Sequence, residues 1–207
     1  MTQAAVRTDV TFEQFLELEF DENHIYELIG GVIVPMAEPS GWHESIRSNL
    51  FFTLEFERRR SKLPLEVHPK PLCKLGKRDG RRPDLIAINR QRWAEATKTE
   101  AALYVPPEVA IEIVSTNWEE DYQKKGLWYA AFGVLEYWIV DSLEVTKRYP
   151  NRRNPEIQVP TVSVGGLNLT TKEYEWQRFT GTELIQSFQF PALELTVEQL
   201  FIAEAGR

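Results

Sequence analysis

The spacing of apolar residues changes several times along the chain, and each change marks an element. From His43 to about Arg59, Ile46, Leu50 and Leu54 recur every four positions with Phe51 beside them, while Glu44, Arg47, Glu55 and Arg58 fall mostly elsewhere. That period predicts an amphipathic helix. Upstream, Ile25–Ile29 and Val32–Val34 are β-prone runs joined by Gly30-Gly31, the composition of a tight hairpin. Earlier still, Thr11 and Gln14 have capping-box spacing, with Val10 and Phe15 placed as a staple, so a short helix is expected from Phe12 to Leu18.

Three strand-like runs follow the long helix: Leu65 to Leu75, Asp84 to Ile88, and Val109 to Val114. They are separated by Gly76 to Pro83 and by a charged, proline-closed segment from Asn89 to Pro107. Trp118 to Phe132 reads as a second major helix closed by Gly133, and Tyr137–Val140 as a short apolar strand. Thr161–Leu169 and Glu173–Phe179, the latter with Tyr174 and Trp176 on one face, form a second hairpin that extends or flanks the same sheet. The order helix, strand, strand, strand, helix, strand between His43 and Val140 implies a mixed sheet covered by helices, an α/β or α+β fold. The length of 207 residues, with no repeat or linker, suits one domain over 1–207 with its core at about 43–141.

Composition narrows the chemistry. No apolar run approaches the ~18 residues that span a bilayer, and the first ten residues lack a signal-peptide core, so a cytoplasmic protein without a membrane partner is expected. Cys73 is the sole cysteine, which removes an intrachain disulfide and a four-cysteine zinc site. His24, His43 and His68 have no ligand spacing, so a metal here would be held by oxygen. The net charge of -7 argues against nucleic acid at first, but Arg58 to Lys98 holds thirteen Lys or Arg against four acids, a local +9 that leaves -16 elsewhere. Such a stretch is either a basic binding surface or a set of solvated loop charges.

One carboxylate stands out. Val109 to Ser115 is apolar on both faces except for Glu112, and burying that group unpaired would cost ~2–7 kcal/mol before its charge is counted. It requires an arginine, a hydrogen-bond donor or a hard metal ion. Asp84 follows Arg81-Arg82-Pro83 at the start of its strand, where it is either an ordinary junction residue or a second carboxylate converging on Glu112. One or two carboxylates are what Mg²⁺ accepts while keeping its waters. Asp121 and Lys125 are four apart, which makes an exposed pair worth ~0.3–0.5 kcal/mol or a lysine that leaves the helix towards Glu112.

These residues also carry a resemblance. The strings Arg82-Pro83-Asp84-Leu85-Ile86-Ala87-Ile88, Glu112-Ile113-Val114-Ser115, Asp121 to Lys125 ending in Tyr129, and Gly133 to Asp141 together resemble the Uma-two family of endonuclease-like proteins. That family falls in the restriction-endonuclease-like PD-(D/E)XK superfamily. Tyr26 to Gly31 and Thr196 to Phe201 extend the likeness over nearly the whole chain. It implies a restriction-endonuclease-like fold and a metal-dependent endonuclease acting on nucleic acid, DNA in the first instance, with Mg²⁺ or Mn²⁺ as cofactor. Asp84 and Glu112 take the metal-binding and catalytic positions. The superfamily lysine two residues after the glutamate is Val114 here, and Lys125 on the next helix matches the residue that replaces it. Glu27 matches an upstream acid that would complete the metal site, unless it only pairs with an arginine. His43 matches a histidine at the start of a helix, unless it is only a locally bonded helix end.

The implied chemistry is in-line attack by water on a phosphodiester, with Lys125 orienting the water or stabilising the pentavalent charge, leaving a 5′-phosphate and a 3′-hydroxyl. Arg81 and Arg82 would flank the site and hold the nucleic-acid backbone. Cutting both strands of a duplex would call for two sites, as in a homodimer. Val114 and the overall acidity suit the alternative, a catalytically inactive nuclease-fold protein that binds nucleic acid or protein. A second alternative is a structural oligomer with Trp42, Trp93 and Trp118 at its interface, against which stands ordinary packing of those rings under loops.

Overall fold

In a computed structural model that describes residues 9–21, 24–96, 98, 102–144, 149 and 152–201, two β-sheets divide the strands. The smaller contains β1 (Tyr26–Ile29), β2 (Val32–Pro35), β4 (Cys73–Gly76) and β5 (Asp79–Arg81) in the order β2-β1-β5-β4. The larger contains β3 (Leu65–Pro69), β6 (Leu85–Asn89), β7 (Val109–Ile113), β8 (Glu136–Asp141), β9 (Thr161–Asn168) and β10 (Glu173–Thr180). Its order is β10-β9-β8-β7-β6-β3, with β7 and β8 parallel and its other neighbours antiparallel. The mixed sheet and the helix-strand-strand-strand-helix-strand order expected from the sequence are present, as is the C-terminal hairpin, which extends the large sheet to its edge.

Helices cover both faces of that sheet. On one face Ile46, Leu50 and Leu54 of α2 (Gly41–Arg60) pack against Leu65 and Val67, Leu85 and Ala87, Ile111 and Ile113, and Trp138 and Val140. The four-residue period of α2 thus buries the stripe that it predicts. Val197 and Leu200 of the C-terminal helix α5 (Val197–Phe201) join the same core. On the other face Tyr129 of α4 (Lys125–Phe132) packs with Ala110, Val114, Tyr137 and Ile139. Every residue of β7 is buried, as its two-sided apolar run requires.

Three expectations are corrected. The run Leu65 to Leu75 is two strands in different sheets, because Lys70 takes φ +48° between Pro69 and Pro71 and turns the chain. The segment read as a separator, Gly76 to Pro83, contains β5, whose Asp-Gly-Arg sequence has no strand propensity of its own. It is held by pairing to β1 and β4 and by Asp79, whose Oδ1 accepts a bond from Gly30 N at 2.8 Å. Within Asn89 to Pro107 lies α3 (Arg90–Ala96), which buries no side chain and so shows no apolar stripe. Its start is fixed by Asn89 Oδ1, which accepts from Gln91 N and Arg92 N. The first helix, α1 (Phe12–Leu16), has the predicted capping box and ends two residues sooner than expected.

The α1 helix seals the small sheet, with Phe12 fully buried among Phe15, Leu28 and Leu72. A Cβ placed on Gly80 would lie 2.5 Å from Phe12 Cε2 and 3.3 Å from Leu72 Cδ1. Gly80→Ala is therefore expected to overpack this junction and lower the unfolding free energy by ~1–3 kcal/mol. Urea denaturation checks this, and an unchanged midpoint would show that Phe12 is free to move aside.

Candidate functional site

The antiparallel register of β6 and β7 pairs Leu85 with Ile111, so one step further along Asp84 lies beside Glu112. Asp84 is 6% exposed. Its Oδ2 accepts a hydrogen bond from Ile113 N at 2.9 Å and meets His43 Nε2 at 3.1 Å. His43 is brought there by the first turn of α2, which Ser40 caps by accepting from His43 N at 3.1 Å. Burial would raise the Asp84 pKa, but the bond and charge of His43, the Ile113 N–H and the Lys125 charge outweigh it and hold the carboxyl below its ordinary value. His43 is thus a partner of Asp84 as well as a capped helix start.

Along β7, Val109, Ile111 and Ile113 face α2, while Ala110 and Glu112 face α4. Glu112 is 3% exposed and meets two groups from that helix. Tyr129 Oη donates to its Oε1 at 2.6 Å, and Lys125 Nζ lies 2.9 Å from its Oε2. Lys125 Nζ is also 2.7 Å from Asp121 Oδ1. Asp121, Lys125 and Tyr129 are spaced by four and form a polar stripe on the inner face of the helix. Asp121 is buried too, so the pair read from spacing alone as exposed is a bridge from the helix to the central strand.

A local widening of the helix accompanies this bridge. Residues Glu120–Lys124 form a π-turn, with Lys125 N donating to Glu120 O and Tyr137 Oη donating to the Asp121 carbonyl at 2.8 Å. Such turns recur at functional sites. At Val114, the superfamily position for lysine, the side chain is buried against Tyr129 and its neighbours, and the ammonium reaches Glu112 from α4 instead.

Two buried carboxylates, Glu112 and Asp121, thus meet a single ammonium, and a third, Asp84, is close enough to feel its charge. Burial pushes the Glu112 pKa up to about 8; Lys125 opposes the rise, and the Asp84 and Asp121 charges add to it. Asp121 is raised chiefly by burial. Burial alone would lower Lys125, but Asp121 and Glu112 carry it well above the ordinary lysine value. Lys125 is therefore a fixed cation at neutral pH and unsuited to act as a general base.

Glu27 lies close enough to raise the Lys125 pKa, but its oxygens are engaged with Arg81 Nη1 at 3.1 Å and Arg82 N at 2.7 Å. Glu27 is thus paired with Arg81. Arg81 is itself 1% exposed, stacked 4.1 Å from the Trp128 ring centre. Arg82 donates to the carbonyls of Tyr26 at 3.2 Å and Lys70 at 3.0 Å. Arg81 thus ties the small sheet to the helix that carries Lys125, through Trp128 and through Glu120 at 3.5 Å, while Arg82 ties β1 to the turn at Lys70. The wider basic stretch behaves similarly: Arg58 and Arg59 pair with Glu55, Arg60 with Glu57, Lys70 with Glu44, Lys74 with Glu13, Arg78 with Asp9 and Arg92 with Glu108.

The donor set suits a hard cation of low protein coordination. Among the described residues no group of three or more His, Cys, Asp or Glu side chains is arranged to hold a metal. Asp84 and Glu112 supply two carboxylates, the number Mg²⁺ takes when water fills its other positions, and a carboxylate offers about four lone-pair sites, so the bonds to Tyr129 and Lys125 do not exhaust Glu112. The excess negative charge that raises Glu112 is what a divalent cation would relieve. Asp121 and Tyr129 were not identified from sequence as site residues, although the four-residue spacing of 121, 125 and 129 on one helix face is the signal that points to them. Trp42, Trp93 and Trp118 are partly buried against the cores, as ordinary packing under loops requires.

The family model Uma2, described as "Putative restriction endonuclease", matches residues 12–198. Among solved structures the chain is similar to a "putative nuclease belonging to DUF820" from Anabaena variabilis ATCC 29413, with a TM-score of 0.70 and 21% identity over 93% of this chain and 98% of that one. At that identity the likeness is one of fold. No curated protein matches the sequence. Among the described residues no helix is long and apolar enough to cross a membrane.

The pKa of Glu112 generates a prediction of definite sign. In the unfolded chain this carboxyl releases its proton near 4.5, whereas in the fold it holds it up to about 8. Its contribution to stability is therefore full below the unfolded value and is lost as the pH rises through 8. Glu112→Gln mimics the protonated form, so its unfolding free energy relative to the native chain is expected to increase between about pH 5 and 8. Denaturant titrations across that range check it, and a difference independent of pH would contradict the assignment.

Proposed function

The chain belongs to the Uma2 family, and from that premise we propose that it is a metal-dependent endonuclease hydrolysing phosphodiester bonds in nucleic acid, with DNA as the substrate. The observation that carries this reading is the buried Glu112–Lys125 pair set beside Asp84. Asp84 and Glu112 would hold Mg²⁺ or Mn²⁺, which when bound would neutralise charge on the scissile phosphate and polarise the attacking water. Lys125, kept cationic chiefly by Asp121, supplies positive charge where the pentavalent phosphorus develops negative charge. Asp121 and Tyr129 position Lys125 and Glu112 respectively. His43 fixes the orientation of Asp84 and favours its ionised form. Glu27 acts at one remove, through Arg81 and the charge it adds near Lys125.

A second reading, an inactive descendant that binds nucleic acid or protein, is favoured by one observation: Val114 stands where the superfamily has its lysine. The two readings separate experimentally. With supercoiled DNA at low salt and Mg²⁺ or Mn²⁺, the native protein is expected to nick and EDTA to stop it. Asp84→Asn, Glu112→Gln and Lys125→Ala should each lower the rate by about 10²-fold or more. Cleavage that survives Glu112→Gln, or is indifferent to EDTA, would refute the proposed site. Metal binding at Glu112 without cleavage of any DNA would favour the binding module.

A further inference from the structure

A cleft of about 390 Å³ opens on the α4 face of the large sheet, next to the acidic site. Its position follows from strand register. Glu112 pairs with Ile139, Ile139 with Ser163, and Ser163 with Arg178, so one straight row crosses β7, β8, β9 and β10. Ile139, Ser163 and Arg178 line the cleft. At ~4.8 Å between strands, Ser163 is roughly 10 Å from Glu112.

The walls are aromatic. Trp118 and Tyr122 border the cleft from the helix that carries Lys125, and Trp176 borders it from β10. The Trp176 ring lies directly over β9, where a Cβ on Gly165 would come within 3.0 Å of it, so glycine is required for the ring to sit there. Although it packs against Tyr137 and Tyr174, Trp176 remains 42% exposed. Gln123, Asn154 and Glu156 add polar groups to the lining, and Ser163 adds one from the sheet. Ser163 is 2% exposed, and among the described residues its Oγ has no hydrogen-bond partner. A buried hydroxyl left unbonded is costly unless something outside the chain completes it. Arg178 stands half-exposed at the rim, 3.3 Å from Glu156.

Flat aromatic walls, one unsatisfied hydroxyl and a volume within the usual range for ligand pockets suit a planar heterocycle with polar edges. Many side chains of the basic stretch are paired with acids of the chain itself, so stacking would add to charge as a source of affinity for nucleic acid. We propose that this cleft receives a nucleobase of an unpaired strand whose backbone passes the Asp84–Glu112 site, so that the protein acts on single-stranded nucleotides. This rests on the nuclease reading and names its substrate class. A base inside a duplex has both faces stacked and cannot enter such a cleft without being turned out.

The test uses the full chain in EDTA and fluorescence anisotropy with three labelled probes: single-stranded oligothymidylate, an abasic oligonucleotide of the same length, and a duplex. The native protein is expected to bind the thymidylate strand about tenfold or more tighter than the abasic strand or the duplex. Trp176→Ala should abolish that preference while leaving abasic affinity unchanged. Ser163→Ala should weaken thymidylate binding several-fold with a thermal midpoint equal to or above the native value, since the hydroxyl it removes bonds to nothing in the chain. Equal affinity for base-bearing and abasic strands, or a preference that survives Trp176→Ala, would overturn the proposal. A parallel cleavage assay in Mg²⁺ separates the failures. Cutting that depends on Glu112 but not on bases would discard the cleft alone, whereas a chain that neither binds nor cuts any probe would discard the nuclease reading and the cleft with it.

Discussion

A carboxylate in the middle of a fully buried strand is the constraint around which this structure is organised. Glu112 has an apolar sheet on every side except the one from which Lys125 and Tyr129 approach, and the neighbouring elements are placed to meet that single group. The inner face of α4 is polar at the positions that reach β7. The π-turn before it coincides with the start of that polar stripe. Asp84 is oriented by His43 and by the backbone of β7 itself, so the second carboxylate is as firmly held as the first. Replacing such a group by a hydrophobe would be cheaper for folding, and its retention points to chemistry.

Electrostatics sorts the roles of these residues. Asp84 is held ionised, Glu112 is held towards its protonated form, and Lys125 is held cationic. Separate environments pushing neighbouring titratable groups in opposite directions are a general mark of a reacting site. Arg81 is buried against Glu27, Glu120 and Trp128, while Arg82 donates to the carbonyls of Tyr26 and Lys70. In the surrounding basic stretch Arg58, Arg59 and Arg60 pair with acids of their own helix, and Lys70, Lys74, Arg78 and Arg92 with acids elsewhere in the chain. Such pairing in space is invisible to a charge count over a window in sequence.

What was legible in the sequence was whatever follows from a period. The four-residue stripe of α2, the two-sided apolar run of β7 and the Gly30-Gly31 hairpin all have physical signatures confined to a few neighbouring residues. The anomaly of Glu112 was visible for the same reason. Strand β5 and helix α3 were not legible, since Asp79–Arg81 is a strand only through its partners and α3 buries nothing. The split of Leu65 to Leu75 depends on the backbone of Lys70, which no side-chain pattern announces. At the site, the convergence of Lys125 on Glu112 was one of two readings of the spacing that family likeness then favoured, while the burial of Asp121 and the bond from Tyr129 depend on how α4 is rotated against the sheet. The row from Glu112 through Ile139 and Ser163 to Arg178 exists only in strand register.

On the proposed function, the buried carboxylates of Asp84 and Glu112 are there to hold a divalent cation. Crystals soaked in Mn²⁺ would show this by anomalous diffraction. One strong anomalous peak is expected in contact with carboxylate oxygens of both Asp84 and Glu112, absent from crystals of Glu112→Gln. A peak elsewhere with none at this pair, or an undiminished peak in Glu112→Gln, would contradict it.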